Sequence, residues 1–221
     1  MAHFTHHSEE NYLKTLFKLS NRQVKKVNNI ALAKELTLNP ATVLEMVRKL
    51  ATKKLVKVLP DKTLQLTETG KKRALVIIRK HRLWEVFLTD KLKYAWNEVH
   101  GLAEQLEHVE SDDMIDRLEA YLGYPAFDPH GDPIPDRNGN IKEKSSVPLS
   151  NAAKGKNYVV VNLADTSDSF LDYLGKLNIK PGTKFKLEEH NQYDNSSTIS
   201  VLRKMIQLSE KAAKNILVQS V

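Results

Sequence analysis

The chain has 221 residues, 34 Lys and Arg against 27 Asp and Glu, and no cysteine. That length holds one large domain or two to three small ones with a proper core, and the missing thiols exclude disulfides, thiolate zinc sites and cysteine nucleophiles. No stretch approaches the roughly 18 apolar residues of a membrane span and the first residues lack the apolar run of a signal peptide, so the expected location is the cytoplasm, with no membrane partner.

The net charge of +7 is unevenly spread. Residues 21–80 carry 15 Lys/Arg against 4 Asp/Glu, residues 81–140 carry 5 against 13, and 141–221 return to a net of +4. A basic first module and an acidic second one suggest a polyanion-binding head on a cation-binding body.

In chain order, Ser8 reads as an N-cap, with Glu9 and Glu10 in the first turn and Tyr12, Leu13, Leu16, Phe17 and Leu19 as the apolar face of a helix to about Ser20. His3, His6 and His7 precede it and read as a frayed terminus. Val27–Leu36 is predicted as a second helix with Ile30, Leu32, Ala33 and Leu36 inward. Pro40 suits the first position of a third helix, Ala41–Thr52, which buries Val43, Val47 and Leu50. Leu55–Leu59 and Thr63–Thr67 alternate around Pro60-Asp61-Lys62, the pattern of a β-hairpin.

Three helices followed by a hairpin is the winged helix-turn-helix order, in which the helix after the turn enters the major groove of double-stranded DNA. Such tri-helical units also serve as protein-interaction modules, but the basic balance favours DNA. The candidate contacts are Asn39, Ala41, Thr42, Leu44, Glu45, Arg48 and Lys49 on the third helix and its entry, with Lys53, Lys54 and Lys62 around the hairpin. Phosphate contacts from these lysines give affinity, while only the exposed helix face can read bases. Arg48 and Lys49 are assigned to phosphates.

Thr67-Glu-Thr-Gly70 opens a long helix to about residue 92, followed by helices at Glu98–His108 and Ser111–Gly123. In Glu98–His108, positions 100, 104, 107 and 108 fall at i, i+4, i+7 and i+8, which puts His100, Glu104, Glu107 and His108 on one stripe. His81 and Glu85 repeat the i, i+4 spacing one helix earlier. Imidazole and carboxylate together make an N/O site for a divalent transition metal; the bland reading is a solvated acidic helix with surface histidines. Trp84, Phe87, Leu118 and Tyr121 offer more apolar surface than three such helices hide alone, which suggests a homodimer.

Pro125–Pro135 is a rigid segment that closes this domain, and Asp136–Lys156 reads as a polar linker. His130 and His190 fall in loops and are not read as ligands. Strands at Tyr158–Leu163, Lys184–Glu188, Thr198–Leu202 and Ile216–Val218, with short helices at Asp168–Leu177 and Ser209–Asn215, suggest a small SH3-like barrel. The fold class is thus mainly α with β: a winged helix-turn-helix domain over 1–70, a helical metal-binding and dimerisation domain over 71–136, a linker over 137–156 and an SH3-like domain over 157–221.

Three segments, Arg79-Lys-His-Arg-Leu-Trp-Glu85, Glu104-Gln-Leu-Glu-His-Val-Glu-Ser-Asp112 and Pro125-Ala-Phe-Asp-Pro-His-Gly-Asp-Pro-Ile-Pro135, carry a resemblance. The chain resembles the diphtheria toxin repressor and manganese transport regulator family of metal-dependent repressors, nearly end to end. That resemblance implies a primary metal site of Glu104, Glu107 and His108 with Asn11 from the first helix. It also implies an ancillary site of His81, Glu85 and His100, completed near Asp165 or Asp168. Iron-type members place Cys where this chain has Glu104, so the match there is to the manganese type, with Mn(II) preferred over Fe(II) as cofactor. Lys14 stands where a manganese-type member can have a second acid, and Thr166 and Ser169 stand where the iron type has ligands.

Two alternatives remain at this point. A di-metal carboxylate enzyme needs Glu-x-x-His on each of two helices plus two further Glu, but Glu85 has no His three residues on and Glu104 is followed by Glu107. A winged-helix regulator that ignores metal would leave the acidic stripe merely solvated.

Overall fold

The computed structural model describes residues 2–21, 26–142 and 144–221, with the backbone alone for 2–7, so the side chains of His3, His6 and His7 lie outside the described residues. Two compact units divide the chain. One is Met1–His81 with Glu107–Glu110 and Pro135–Asn140; the other is Arg82–Leu106 with Ser111–Ile134 and Ile141–Val221.

The first unit begins with three helices, α1 (Ala2–Asn21), α2 (Asn29–Leu36) and α3 (Pro40–Thr52). Asn28 caps α2 by accepting from the amides of Ile30 and Ala31, and Asn39 caps α3 by accepting from Ala41, with Pro40 at the start where no amide is missed. The strands β1 (Val56–Val58) and β2 (Leu64–Leu66) pair antiparallel with Val56 opposite Leu66. The helix α4 (Glu68–Asp90) follows. Tyr12, Leu13, Leu16, Leu32, Val43, Val47 and Leu50 are all fully buried, so the predicted apolar faces form the core of a winged helix-turn-helix. One inward assignment fails: Ile30 is 73% exposed. It lies two residues, about 200° of helical turn, from Leu32 and so points the other way.

In the second unit α5 (Val99–Leu106) and α6 (Asp112–Tyr121) accompany the later part of α4 around a core that includes Leu83, Trp84, Val99, Ala103, Ile115 and Leu118. Ser111 caps α6 by accepting from the Met114 amide, and Asp112 and Asp113 sit in its first turn. Trp84 and Leu118 are consumed by this core, while Tyr121 stays 65% exposed, so the apolar surplus that suggests self-association is narrower than expected. The helix expected over Glu98–His108 stops at Leu106, and Glu107 and His108 form a turn beyond it.

The remainder is an antiparallel sheet, β3 (Val147–Pro148), β4 (Asn157–Leu163), β5 (Lys184–His190), β6 (Ser197–Val201), β7 (Lys204–Leu208) and β8 (Ile216–Ser220), in the order β3-β8-β4-β5-β6-β7. With α7 (Asp168–Lys176) and α8 (Glu210–Asn215) it encloses Leu149, Tyr158, Val160, Leu171, Leu187, Ile199 and Leu208. Two of its parts were not foreseen. Inside the expected linker, Val147-Pro148 pairs with β8, and the helical turn Leu149–Asn151 that follows buries Leu149 completely. Strand β7 follows a two-residue turn at Leu202-Arg203, both at positive φ (48° and 68°), without the Asn or Gly that normally signals such a turn.

Candidate metal centre and nucleic-acid surface

In the first unit, α1 faces the turn after α5. Glu107 is wholly buried, with Oε1 2.5 Å from Lys14 Nζ and Oε2 2.5 Å from His81 Nδ1. Burial pushes the Glu107 carboxyl up, but the hydrogen bond and charge of His81, with the Lys14 ammonium, hold it below its ordinary value. His108 Nδ1 lies 2.7 Å from Glu10 Oε2, and its Nε2 lies 3.8 Å from Glu107 Oε1. Asn11 Oδ1 is buried without a hydrogen-bond partner. The expected ligands Asn11, Glu107 and His108 therefore all lie in this unit, and Glu10, which the sequence reading did not select, is the acid that meets His108. Because the helix ends at Leu106, the four-residue stripe is broken. Glu107 turns inward, while Glu104 stays half-exposed in the second unit, 3.6 Å from His100 Nε2.

The second unit holds a deeper cluster. Glu85 Oε1 stands 3.2 Å from His100 Nδ1, and Glu85 Oε2 stands 3.7 Å from His130 Nδ1. His130 Nε2 donates to the Trp96 carbonyl at 2.8 Å, which leaves Nδ1 as the nitrogen that faces Glu85. Asp128 Oδ1 accepts from the amides of His130 and Asp132, and its other oxygen lies 3.5 Å from Arg82. Ligand atoms of Glu85, Asp128 and His130 lie within 4.8 Å of one another, and all three residues are buried. Burial, then the Asp132 and Glu85 carboxylates, push Asp128 up to about 8 against the opposing charges of Arg82 and His130. Burial acts to lower His130, yet the hydrogen bond and charge of Glu85, with the charge of Asp128, bring it up to about 9.

This loop belongs to Pro125–Pro135, a rigid closure and one of the segments that carry the resemblance, and sequence reasoning misses His130 as a donor because it falls in a loop. A histidine two residues from one acid and two from another, Asp128-Pro-His-Gly-Asp132, was the available signal. Gly131, at φ +92°, is needed here because a Cβ would stand 2.2 Å from the Val161 carbonyl oxygen. His81 precedes Glu85 by one turn of α4. Asp165 accepts from the Ser167 amide and Asp168 lies exposed in the first turn of α7; neither joins a group of ligands among the described residues. His190 is tied to Ser197 Oγ and the Ala152 carbonyl inside the sheet domain.

On α3 and its entry Asn39, Ala41, Thr42, Leu44, Glu45 and Arg48 are exposed, as are Lys54 and Lys62 near the hairpin. Lys49 and Lys53 behave differently: both reach Glu9 on α1, at 2.9 and 2.8 Å.

Profiles of known families cover most of the chain. The iron dependent repressor N-terminal DNA binding domain matches 4–64, the iron dependent repressor metal binding and dimerisation domain matches 67–136, and the FeoA domain matches 147–220. A solved manganese-dependent transcriptional repressor in complex with manganese is 31% identical, with a TM-score of 0.88 over 96% of this chain and 100% of that one. The chain belongs to the diphtheria toxin repressor family of metal-dependent transcriptional repressors. The apo form of the manganese-activated repressor ScaR is also 31% identical, with a TM-score of 0.81 over 96% of this chain and 100% of that one. The iron-dependent repressor IdeR of Mycobacterium tuberculosis and the diphtheria toxin repressor of Corynebacterium diphtheriae are each 37% identical over 126 residues, 57% of this chain. Those matches span 54% and 55% of the two proteins, so the chain spans about half the length of the curated relatives it matches. Membership of a repressor family sets aside the di-metal enzyme. No described helix is long and apolar enough to cross a membrane.

Proposed function

We propose that this family member binds a palindromic DNA operator as a homodimer when loaded with a divalent ion, Mn(II) before Fe(II), and thereby represses transcription. The observation that carries the reading is the buried cluster of Glu85, Asp128 and His130 in a chain whose first unit is a winged helix. Three carboxyl groups (Glu85, Asp128, Asp132) and the His130 imidazole surround one guanidinium (Arg82) there, so the cluster accommodates a cation once Asp128 and His130 give up their protons. Glu107 and His108, with Glu10 and the unpartnered Asn11 Oδ1, offer a second set of donors. When bound, the ion supplies positive charge that offsets these carboxylates.

Carboxylate, amide and imidazole donors without sulfur suit Mn(II), and Glu104 adds no thiolate. Glu10, Asn11 and Lys14 sit on α1, in the unit that presents α3. Ligation through α1 therefore favours one arrangement of the DNA-binding unit, and DNA must tighten metal binding by the same factor. The test is a DNA-binding titration of the purified protein with chelator, Mn(II), Fe(II) and Zn(II) at buffered free metal. Metal should strengthen binding at least tenfold, with Mn(II) effective at its physiological level; equal affinity with and without metal would refute the reading.

A further inference from the structure

Glu9 is 3% exposed, yet it bears a full carboxylate. Its Oε1 lies 2.9 Å from Lys49 Nζ and 2.8 Å from Lys53 Nζ, and its Oε2 lies 2.8 Å from Lys53 Nζ. Lys49 sits in the last turn of α3 and Lys53 is the residue that ends it. The carboxylate thus grips the C-terminal end of α3 from a different helix. Both lysines remain partly open, 41% and 45% exposed, so their position alone would make them candidates for phosphate contacts.

We propose that Glu9 is a positioning residue that ties the last turn of α3 to α1, and that Lys49 and Lys53 are held by it and do not neutralise DNA phosphates. A lysine that left for a phosphate would strip a buried carboxylate of its counter-charge, and an uncompensated buried charge is costly. The triad presents one net positive charge where the sequence displays two. Of the candidate contacts named above, Arg48 on α3 and Lys54 and Lys62 near the hairpin then remain for the backbone of the duplex. The inference rests on the DNA-binding reading above, and it makes α1, one residue before Glu10, the support on which α3 is aimed.

The experiment measures DNA affinity of the metal-loaded full chain against salt, on one duplex that it binds. Each lysine that displaces a counterion contributes about −0.9 to the slope of log K against log salt. Lys49→Gln and Lys53→Gln should leave the slope unchanged, whereas Arg48→Gln should flatten it by about 0.9 per protomer. Glu9→Gln should steepen the slope by as much as about 1.8 per protomer, because two lysines are released. Flattening by about 0.9 in each lysine variant would overturn the proposal. Should Glu9→Gln fail to fold by circular dichroism, the two lysine variants decide by themselves. If the wild type binds no DNA with any metal, the functional reading has failed, and the strut is judged by a double-mutant cycle of Glu9→Gln with Lys53→Gln on unfolding. Non-additivity of about tenfold in the unfolding constant supports the tie, and simple additivity overturns it.

Discussion

Lys14 Nζ stands 2.5 Å from Glu107 Oε1, with 4% and 0% of the two side chains exposed. An ammonium thus occupies one face of a carboxylate that the family resemblance assigns to metal. Lys14→Met keeps the length of the side chain and removes its charge, leaving buried Glu107 with His81 at hydrogen-bond distance and His108 Nε2 3.8 Å away. In chelator the variant should lose roughly 3–5 kcal/mol of stability, and Mn(II) should raise its melting temperature by more than it raises that of the wild type. Thermal unfolding of both proteins with and without metal checks this; equal shifts would show that Lys14 and the ion do not share Glu107.

The same pair sets an acid limit. Glu107 is held below its ordinary 4.5, so its ion pairs contribute stability that is present above that pH and lost as pH falls through the lower folded value. A stability profile of the chelated protein should therefore decline only below about pH 5 for this reason, and Glu107→Gln should flatten that limb.

His130 behaves in the opposite sense. Raised to about 9 from an ordinary 6.5, it stabilises the apo protein fully below 6.5, and that contribution is lost as pH rises through about 9. A cation that takes its Nδ1 must displace the proton, and Asp128, raised to about 8, gives up another. Metal uptake by this cluster should release up to about two protons near neutral pH and tighten as pH rises. Calorimetric titration in two buffers of different ionisation heat measures the release. Buffer-independent heats, or an unchanged release in His130→Gln, would remove His130 from the ligand set.

Gly131→Ala should be among the more damaging single changes. Its φ of +92° is unfavourable for alanine, and the new Cβ would meet the Val161 carbonyl oxygen at 2.2 Å. A loss of about 3 kcal/mol or more is expected, accompanied by weaker metal binding, because the neighbouring amides of His130 and Asp132 orient Asp128. Denaturant unfolding and metal titration of the variant test both parts.

The proposed preference for Mn(II) rests on Glu104, half-exposed and 3.6 Å from His100 Nε2. Glu104→Cys replaces a hard oxygen with a soft thiolate and should shift activation of DNA binding away from Mn(II) towards Fe(II) and later metals. DNA-binding curves of both proteins at buffered free metal would reveal it. No shift would mean that Glu104 does not set the preference.

Much of this arrangement was legible in the sequence because helical and alternating periods report which side of an element is apolar. The winged helix followed from Leu32, Val43, Val47 and Leu50 and from the two alternating runs. Periodicity says nothing, however, about where a helix yields, and the end of α5 at Leu106 put Glu107 inside and Glu104 outside. Nor does it report partners distant in sequence. Glu10 with His108, Glu9 with Lys49 and Lys53, and Glu85 with His130 are separated by 98, 40, 44 and 45 positions. The strand β7 was hidden for a local reason, its turn being built from Leu202-Arg203 at positive φ. Burial of the Asp128–Asp132 loop could not be read from a segment whose composition is that of an exposed one.

The side chains along α1 give that helix a mechanical character. Within two turns Glu9 grips α3, Glu10 meets His108, and Lys14 meets Glu107. Side-chain tips lie some 5–6 Å from a helix axis, so rolling α1 by about 20° sweeps each of them through about 2 Å, enough to break a hydrogen bond. The helix is therefore geared: it cannot turn to satisfy one partner without disengaging the others. A single-residue insertion between positions 9 and 14 would rotate one set by about 100° against the other, whereas the same insertion before Ser8 would leave the gearing intact.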